Sequence, residues 1–157
     1  MSLNPSAQKV EDTLIALDYN YKVIEFKEST RTAEEAAARV GCEVGQIVKS
    51  LVFMGKKTEK AILILTSGAN RVDIKRIHAH AEEKIGRATP DYVRAYTGFA
   101  IGGIPPLGHL HPIETYIDED LLRFDEIWAA AGTPNSVFKM NSKDLPKMTG
   151  GEIICVK

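Results

Sequence analysis

Cysteine is scarce in this 157-residue chain, and long apolar runs are missing. The two cysteines, Cys42 and Cys155, form no C-x-x-C motif, so we expect no disulfide framework and a reducing, cytoplasmic compartment. Apolar runs such as 61–65 and 99–101 fall far short of the roughly 18 residues that cross a bilayer. The N-terminus has no basic segment followed by an apolar one. We therefore expect neither a membrane span nor a signal peptide.

An excess of charge of one sign is also absent. Lysine and arginine number 20 against 21 acidic residues, which leaves a net charge of −1. Proteins that hold a long stretch of nucleic acid by its phosphates are usually far more basic. Any contact with nucleic acid is therefore expected to be small and local. The hydrophobic share of 44% and the charged share of 26% are average for soluble globular chains, which excludes disorder as the main state.

Helix and strand signals are mixed along the chain and predict one α/β or α+β domain over residues 1–157. Thr32 and Glu35 match a capping box, and Gly41 is placed to end the helix that follows. The unbroken apolar run 61–65 predicts a strand covered on both faces. Helices are predicted at 5–18, 32–41, 73–85, 89–98, 119–124 and 144–149. Strands are predicted at 23–26, 46–54, 61–65, 99–101, 113–117, 127–131, 136–140 and 152–156.

Lys49 is the first candidate for chemistry, because its neighbours in the segment 47–53 are nearly all apolar. An ammonium on an apolar strand face is costly to bury without a partner. Lys49 either lies at the start of the strand and extends into solvent, or lines a pocket as a cation. In a pocket it can hold a phosphate or polarise a carbonyl.

The second candidate is the glycine- and proline-rich segment Gly102–His109, G-G-I-P-P-L-G-H. Glycines let a backbone approach a ligand closely and leave N–H groups free to point at it. The two prolines stiffen the segment and reduce the entropy lost when a ligand binds. Such a loop suits an ester carbonyl or its oxyanion, although a tight turn between strands explains the composition equally well.

The histidines do not predict a metal site. His78 and His80 are two residues apart on a predicted helix and point about 200° apart, so they cannot share an ion. His109 and His111 share a face if the chain is extended, but no cysteine or carboxylate stands at ligand spacing. No G-x-S-x-G motif or Ser-His-Asp order is present either. A metal-dependent hydrolase built on the histidines is therefore the weakest interpretation.

Four segments together resemble the YbaK/prolyl-tRNA-synthetase-associated domain family, from about residue 23 to residue 156. They are Gln46–Phe53 (Q-I-V-K-S-L-V-F), Asn70–Asp73, Thr97–Gly108 and the Ala131–Gly132 hairpin. The resemblance implies an α+β (mixed α/β) fold with a largely antiparallel, barrel-like mixed sheet surrounded by helices. It also implies trans-editing without metal or cofactor: hydrolysis of the ester that joins a wrong amino acid to the 3′-terminal adenosine of a tRNA.

The resemblance further implies roles for individual residues. The lysine matching Lys49 contacts the terminal adenosine or the aminoacyl group, and the loop matching Gly102 and Gly103 holds the aminoacyl carbonyl through backbone amides. A water or a group of the substrate is the expected nucleophile. The expected partners are the tRNA acceptor end, contacted by Arg71, Lys75 and Arg76, and an aminoacyl-tRNA synthetase, with no membrane. The expected substrate-binding residues are Phe26, Ser50, Phe53, Asn70, Ile104, Pro106, Gly108 and His109.

Two positions depart from the pattern of the family. Pro105 stands where many members carry serine or threonine, which removes a hydroxyl and a backbone donor. Ala130 stands where some cysteinyl-type members carry serine. These departures favour a second interpretation, in which the same pocket binds a tRNA end or an adenosine-containing ligand without catalysis.

Overall fold

Five helices and eight strands form over residues 2–157, which are the residues that the computed structural model describes. Helices α1 to α5 are Pro5–Ala16, Ala33–Val40, Ile74–Ala81, Pro90–Thr97 and Asp144–Thr149. Strands β1 to β8 are Val23–Glu25, Ile47–Gly55, Ala61–Ser67, Ile85–Arg87, Glu114–Asp118, Glu126–Ala130, Ser136–Asn141 and Glu152–Ile154. Among these residues no helix is both long enough and apolar enough to cross a membrane.

The capping signals in the sequence set the ends of α2 and α4. The Thr32 hydroxyl accepts the backbone N–H of Glu35 at 3.1 Å, and Gly41 ends α2 at a φ of +75°. Thr89 caps α4 in the same way, and Gly98 ends it at +83°. Both predicted helices are confirmed because their cap residues satisfy amides that the first turn leaves free.

The strands form one mixed sheet in the order β1-β7-β6-β2-β3-β5-β8, with β4 paired to β2 beside this path. Over residues 2–157 four pairings are antiparallel (β1/β7, β2/β3, β2/β4 and β6/β7) and three are parallel (β2/β6, β3/β5 and β5/β8). With helices packed against this sheet, the structure confirms the α+β prediction.

Strand β3 lies in the middle of the sheet, and all seven of its residues are buried. Leu63 and Leu65 face the larger core, which includes α1, whereas Ile62 and Ile64 face a smaller core against α3. Alternate residues of a strand point to opposite faces, and because both faces are covered here, residues 61–65 are all apolar. Burial of each such side chain contributes about 1.5–3 kcal/mol.

One predicted helix end and one predicted strand were wrong. The helix predicted at 73–85 ends at Ala81, because Glu82 adopts a left-handed conformation with a φ of +60°, and Ile85–Arg87 then pairs with β2 as β4. Residues 99–101 form no strand, because Gly98 turns the chain and the amide of Gly103 donates to the carbonyl of Ala100 at 3.1 Å. In both places a left-handed residue ends the preceding helix.

In the described part of the chain, one edge of β2 is unpaired in the middle of the strand, which leaves a gap in the pairing. On the side away from β3, β2 pairs with β6 only at Ile47 and Val48 and with β4 only from Phe53 to Gly55. Within residues 2–157 no strand pairs with Lys49–Val52 on that side. The sheet therefore opens beside Lys49.

Candidate functional site

A cavity of about 340 Å³ lies at this gap, a volume at the low end of the range for small-molecule sites. Its wall comes from the start of α2, from β2, from the ends of β6 and β7, and from the first half of the glycine-rich loop. We call it the Lys49 cavity; its lining residues are Thr30, Arg31, Thr32, Ala33, Glu34, Ala36, Ile47, Val48, Lys49, Ser50, Leu51, Ile101, Gly102, Ile104, Trp128, Ala129, Ala130 and Val137.

Lys49 lies in the unpaired stretch of β2 and is half-buried. Its ammonium donates to the backbone carbonyl of Asn70 at 3.1 Å. An ammonium has three N–H donors. With one donor engaged by Asn70, two are left for a ligand, and the contact restricts where the charge can lie. Lys49 is therefore a pre-positioned cation beside the Lys49 cavity.

Asn70 itself is held from behind by two carboxylates. Its side-chain amide donates to Asp118 and to Asp120, each at 2.8 Å. Asp118 is fully buried and also accepts the Thr66 hydroxyl at 3.0 Å. The hydrogen bond from Lys157, followed by the one from Asn70, lowers the pKa of Asp120. Both amide hydrogens of Asn70 are thus used within the protein, and its backbone carbonyl holds Lys49; its part in substrate binding stays a prediction.

The glycine-rich loop brings two free amides to the cavity. Gly103 is engaged on both sides: its N–H donates to Ala100 at 3.1 Å, and its carbonyl accepts the N–H of Gly132 at 2.8 Å. Gly102, at a φ of +97°, and Ile104 both line the cavity. Within residues 2–157 no hydrogen bond uses the N–H of either residue. Two such amides two residues apart form the kind of donor pair that holds a carbonyl oxygen.

Gly103 has a packing role rather than a contact with the cavity. A Cβ atom added there would lie 2.7 Å from the carbonyl carbon of Thr133, in the turn between β6 and β7. The loop can therefore approach this hairpin only with glycine at position 103. This close approach is what sets Gly102 and Ile104 opposite β2.

The hydroxyl of Ser50 is the one predicted polar group in the cavity wall that lacks a partner. Its Oγ is buried, and within residues 2–157 it makes no hydrogen bond. A buried hydroxyl without a partner costs about 1–3 kcal/mol and is uncommon in native proteins. Ser50 is among the residues that line the Lys49 cavity, but its Oγ is not exposed to that cavity.

The remaining predicted residues lie outside the Lys49 cavity. Phe53 packs against the smaller core, and the backbone carbonyl of Phe26 accepts the side-chain amide of Asn135 at 2.5 Å. Pro106, Gly108 and His109 belong to a second, more open depression of about 420 Å³. We call it the His109 depression; it is lined by Pro106, Leu107, Gly108, His109, Leu110, His111, Pro112, Ile113, Thr115, Met148 and Thr149.

His109 is oriented by its own loop. Its Nε2 lies 2.7 Å from the carbonyl oxygen of Pro105, which requires the Nε2–H tautomer as donor. Burial lowers the pKa of His109, while the bond to Pro105 acts in the opposite direction. On α3, the Nδ1 of His80 lies 3.3 Å from a carboxylate oxygen of Glu152. Within the described range 2–157 no three His, Cys, Asp or Glu side chains gather as a ligand set.

Arg31, Trp128 and Val137 line the Lys49 cavity and were missed in the sequence. Arg31 precedes the capping box of α2, so the local pattern indicated only a helix start. Trp128 pairs across the sheet with Ile47, and Val137 comes from the neighbouring strand β7. These residues meet through strand order, which periodicity does not report. The alternation 127–131 could have exposed Trp128 as a residue facing away from the larger core.

Comparisons with known proteins identify the family of this chain. Residues 27–148 match the profile of the family described as aminoacyl-tRNA editing domain. The uncharacterized protein YwhH of Bacillus subtilis is 34% identical over 131 residues, which are 83% of each chain. EbsC of Enterococcus faecalis, a proposed Cys-tRNA(Pro)/Cys-tRNA(Cys) deacylase, is 28% identical over 135 residues, covering 84% of this chain and 82% of EbsC.

A solved structure extends the likeness to the whole chain. The crystal structure of a proposed trans-editing enzyme for prolyl-tRNA synthetase superposes with a TM-score of 0.94 at 49% identity. The match covers 99% of each chain. The fold, the matched residues 27–148 and this superposition lead to one conclusion: the chain belongs to the aminoacyl-tRNA editing domain family, as its resemblance to the YbaK-type domains indicated.

Proposed function

We propose that this protein is a deacylase that acts in trans on mischarged aminoacyl-tRNA. It would hydrolyse the ester between the amino acid and the 3′-terminal adenosine, without a metal ion or cofactor. The observation that carries the proposal is that Lys49 and the free amides of Gly102 and Ile104 line one cavity. A cation and two amide donors around a space of about 340 Å³ suit an acylated ribose.

The chemistry needs no nucleophile from the protein. A water, positioned in the cavity or activated by a group of the substrate, attacks the ester carbonyl carbon. The carbonyl oxygen becomes an oxyanion that accepts hydrogen bonds from Gly102 and Ile104. The ribose oxygen then leaves with a proton, which gives the free amino acid and a tRNA with its terminal hydroxyl restored. Orientation and preorganised donors supply the acceleration, because an ester is already an activated bond.

Lys49 is proposed to orient the aminoacyl ester or the terminal adenosine. Its ammonium is fixed by the carbonyl of Asn70, and Asn70 is fixed by Asp118 and Asp120. Such support holds the charge in one place before the substrate arrives, which avoids an ordering cost during binding. We assign Asn70 to this positioning role in the proposed mechanism.

The wall that remains for the amino-acid side chain is small and apolar. Ala33 and Ala36 come from α2, Ala129 and Ala130 from β6, and Trp128 lies beside them. Four alanines leave room without offering a hydrogen bond, so the preferred side chain is proposed to be small or medium-sized and uncharged. The name of the solved structure points to prolyl-tRNA and its synthetase as the first partners to test.

The test is a deacylation screen over a panel of mischarged tRNAs, with the wild type, Lys49→Ala and Lys147→Ala compared on each. Lys147 is an exposed lysine on α5 outside the Lys49 cavity, so its substitution controls for the loss of one positive charge. We expect at least one small amino acid to be released, with Lys49→Ala slower by about a hundredfold or more. Circular dichroism and thermal unfolding should show both variants folded.

Two results would contradict the proposal. Wild-type turnover that Lys49→Ala leaves unchanged would remove Lys49 from the reaction. Protection of a charged tRNA without release of its amino acid would favour the non-catalytic binding module, for which Pro105 provides a reason, since it supplies no amide to the loop.

A further inference from the structure

Arg31 places a second cation at the rim of the Lys49 cavity, over the start of the glycine-rich loop. Its side chain is exposed and lies across Gly102: a Cβ atom added to Gly102 would be 2.9 Å from both Cγ and Nε of Arg31. Within residues 2–157 the guanidinium makes no hydrogen bond or ion pair. By contrast Arg39, on the adjacent α2, lies outside the cavity and pairs with Glu28 at 4.0 Å.

The backbone around Arg31 is fixed although its charged group is free. The N–H of Thr30 donates to the carbonyl of Pro134 at 2.8 Å, and the N–H of Arg31 donates to the Ser29 hydroxyl at 3.1 Å. Thr32 then caps α2. A charged group on an anchored segment, next to amides that also lack acceptors, forms an anion site at low ordering cost.

The charges of the cavity wall identify the kind of anion. Lys49 and Arg31 face one acidic side chain, Glu34, so the wall is locally positive although the chain as a whole carries −1. In an aminoacyl-tRNA the carboxyl group of the amino acid is esterified and carries no charge. The anion nearest the ester is therefore the phosphodiester on the 5′ side of the terminal adenosine.

We propose that Arg31 binds this phosphodiester, while Lys49 and the loop amides act at the ester. The guanidinium presents paired N–H donors that match two phosphate oxygens, which an ammonium cannot reproduce. The inference rests on the proposed function, because it takes the acylated 3′ end as the occupant of the cavity. It adds a phosphate subsite and a reason for selecting a tRNA end over a free aminoacyl ester.

The kinetic test compares two substrates that carry the same amino acid: the mischarged tRNA cleaved best in the screen, and that amino acid esterified to adenosine without any phosphate. For Arg31→Gln we expect KM for the tRNA to rise about tenfold with kcat little changed. Hydrolysis of the aminoacyl-adenosine should be unaffected. Arg31→Lys should recover part of the loss, and Arg39→Gln, the matched control, should behave as wild type. An equal loss on both substrates, or no loss on the tRNA, would overturn the assignment.

A binding measurement separates this proposal from the failure of the deacylase proposal. By calorimetry, wild-type protein should bind adenosine 5′-monophosphate more tightly than adenosine, and Arg31→Gln should abolish the difference while leaving the adenosine affinity intact. The salt dependence of tRNA binding should fall by about one phosphate contact in the variant. If wild type cleaves no ester but shows this preference, the phosphate subsite stands and the deacylase does not. Equal binding of adenosine and adenosine 5′-monophosphate by wild type would refute the subsite whatever the outcome of the screen.

Discussion

The two halves of the glycine-rich loop serve two different cavities. Gly102 and Ile104 face the Lys49 cavity with unused amides, next to the unpaired hydroxyl of Ser50 and the free guanidinium of Arg31. His109, in the second half, has its ring nitrogen bonded to Pro105 at 2.7 Å and lines the His109 depression. The first region carries two cations, Lys49 and Arg31, whose donors are not all used within residues 2–157, whereas the ring of His109 in the second region is bonded within its own loop. Unused cationic donors favour the first region as the ligand site.

The largest expected effect comes from Gly103, which packs the first half of the loop against the hairpin between β6 and β7. Gly103→Ala forces a Cβ to within 2.7 Å of the Thr133 backbone, which cannot rotate away. We expect a loss of about 3 kcal/mol in the free energy of unfolding and loss of deacylation. Gly108→Ala, in the second half, meets only the Thr13 side chain at 3.3 Å, and its φ of +81° costs about 1 kcal/mol.

Urea unfolding of the two variants, together with their deacylation rates, tests this difference. Similar stability losses in both would show that the contact between the loop and the hairpin does not hold the first half in place.

A smaller effect is expected for the unpaired hydroxyl of Ser50, whose removal should raise the free energy of unfolding. Ser50→Ala removes a buried Oγ that has no partner within residues 2–157, so we expect the free energy of unfolding to rise by about 1 kcal/mol. If that hydroxyl contacts the substrate, KM should also rise about fivefold. Ser67→Ala is the matched control: its Oγ donates to Gly45 at 2.7 Å, and its loss should destabilise by about 1 kcal/mol.

Thermal and urea unfolding of both serine variants, with Michaelis kinetics on the cleaved tRNA, give the readout. A destabilised Ser50→Ala would mean that the hydroxyl already has a structural partner, and the contrast between the two cavities would weaken.

The smallest effect concerns pH and the His109 depression. Burial lowers the pKa of His109 in the folded protein, whereas in the unfolded chain it titrates near its ordinary value of about 6.5. As pH falls through that value, the unfolded chain binds a proton that the folded protein resists, so stability decreases on acidification. Wild type should therefore lose more stability than His109→Gln between about pH 7.5 and pH 5.5.

Unfolding at a series of pH values, with the difference between wild type and variant taken at each, isolates the histidine. Near neutral pH the His109→Gln variant should deacylate at the wild-type rate. A variant that loses activity but keeps the wild-type pH profile of stability would place His109 in the reaction. The His109 depression would then be part of the functional site.

Local signals predicted much of this fold because their causes are local. Thr32 and Gly41 bounded α2 through cap hydrogen bonds and a left-handed conformation, and the run 61–65 reported burial on both faces. Prediction was wrong at Glu82, which ends α3 early as a non-glycine left-handed residue. Such a conformation depends on what the following residues pair with, and Ile85–Arg87 pairs with a distant strand.

For the candidate site too, some features were predicted from the sequence and others were not. The apolar setting of Lys49 and the composition of Gly102–His109 were visible in the sequence, because both are patterns formed by neighbouring residues. The sequence did not show that the N–H of Gly103 donates to the carbonyl of Ala100, or that the side-chain amide of Asn70 donates to Asp118. Hydrogen-bond partners far apart in the chain follow from strand order rather than from spacing.

Composition and short-range pattern were thus enough for the mixed architecture, the ends of α2 and α4, and the choice of Lys49 and Gly102 as candidates. The gap in β2, the convergence of Arg31 and Trp128 on that gap, and the separation of His109 into another depression came from the assembled sheet. Caps and strand periodicity act within a few residues, so the sequence displays them directly. A cavity exists only where segments remote in sequence fail to fill the space between them, and no local pattern encodes that space.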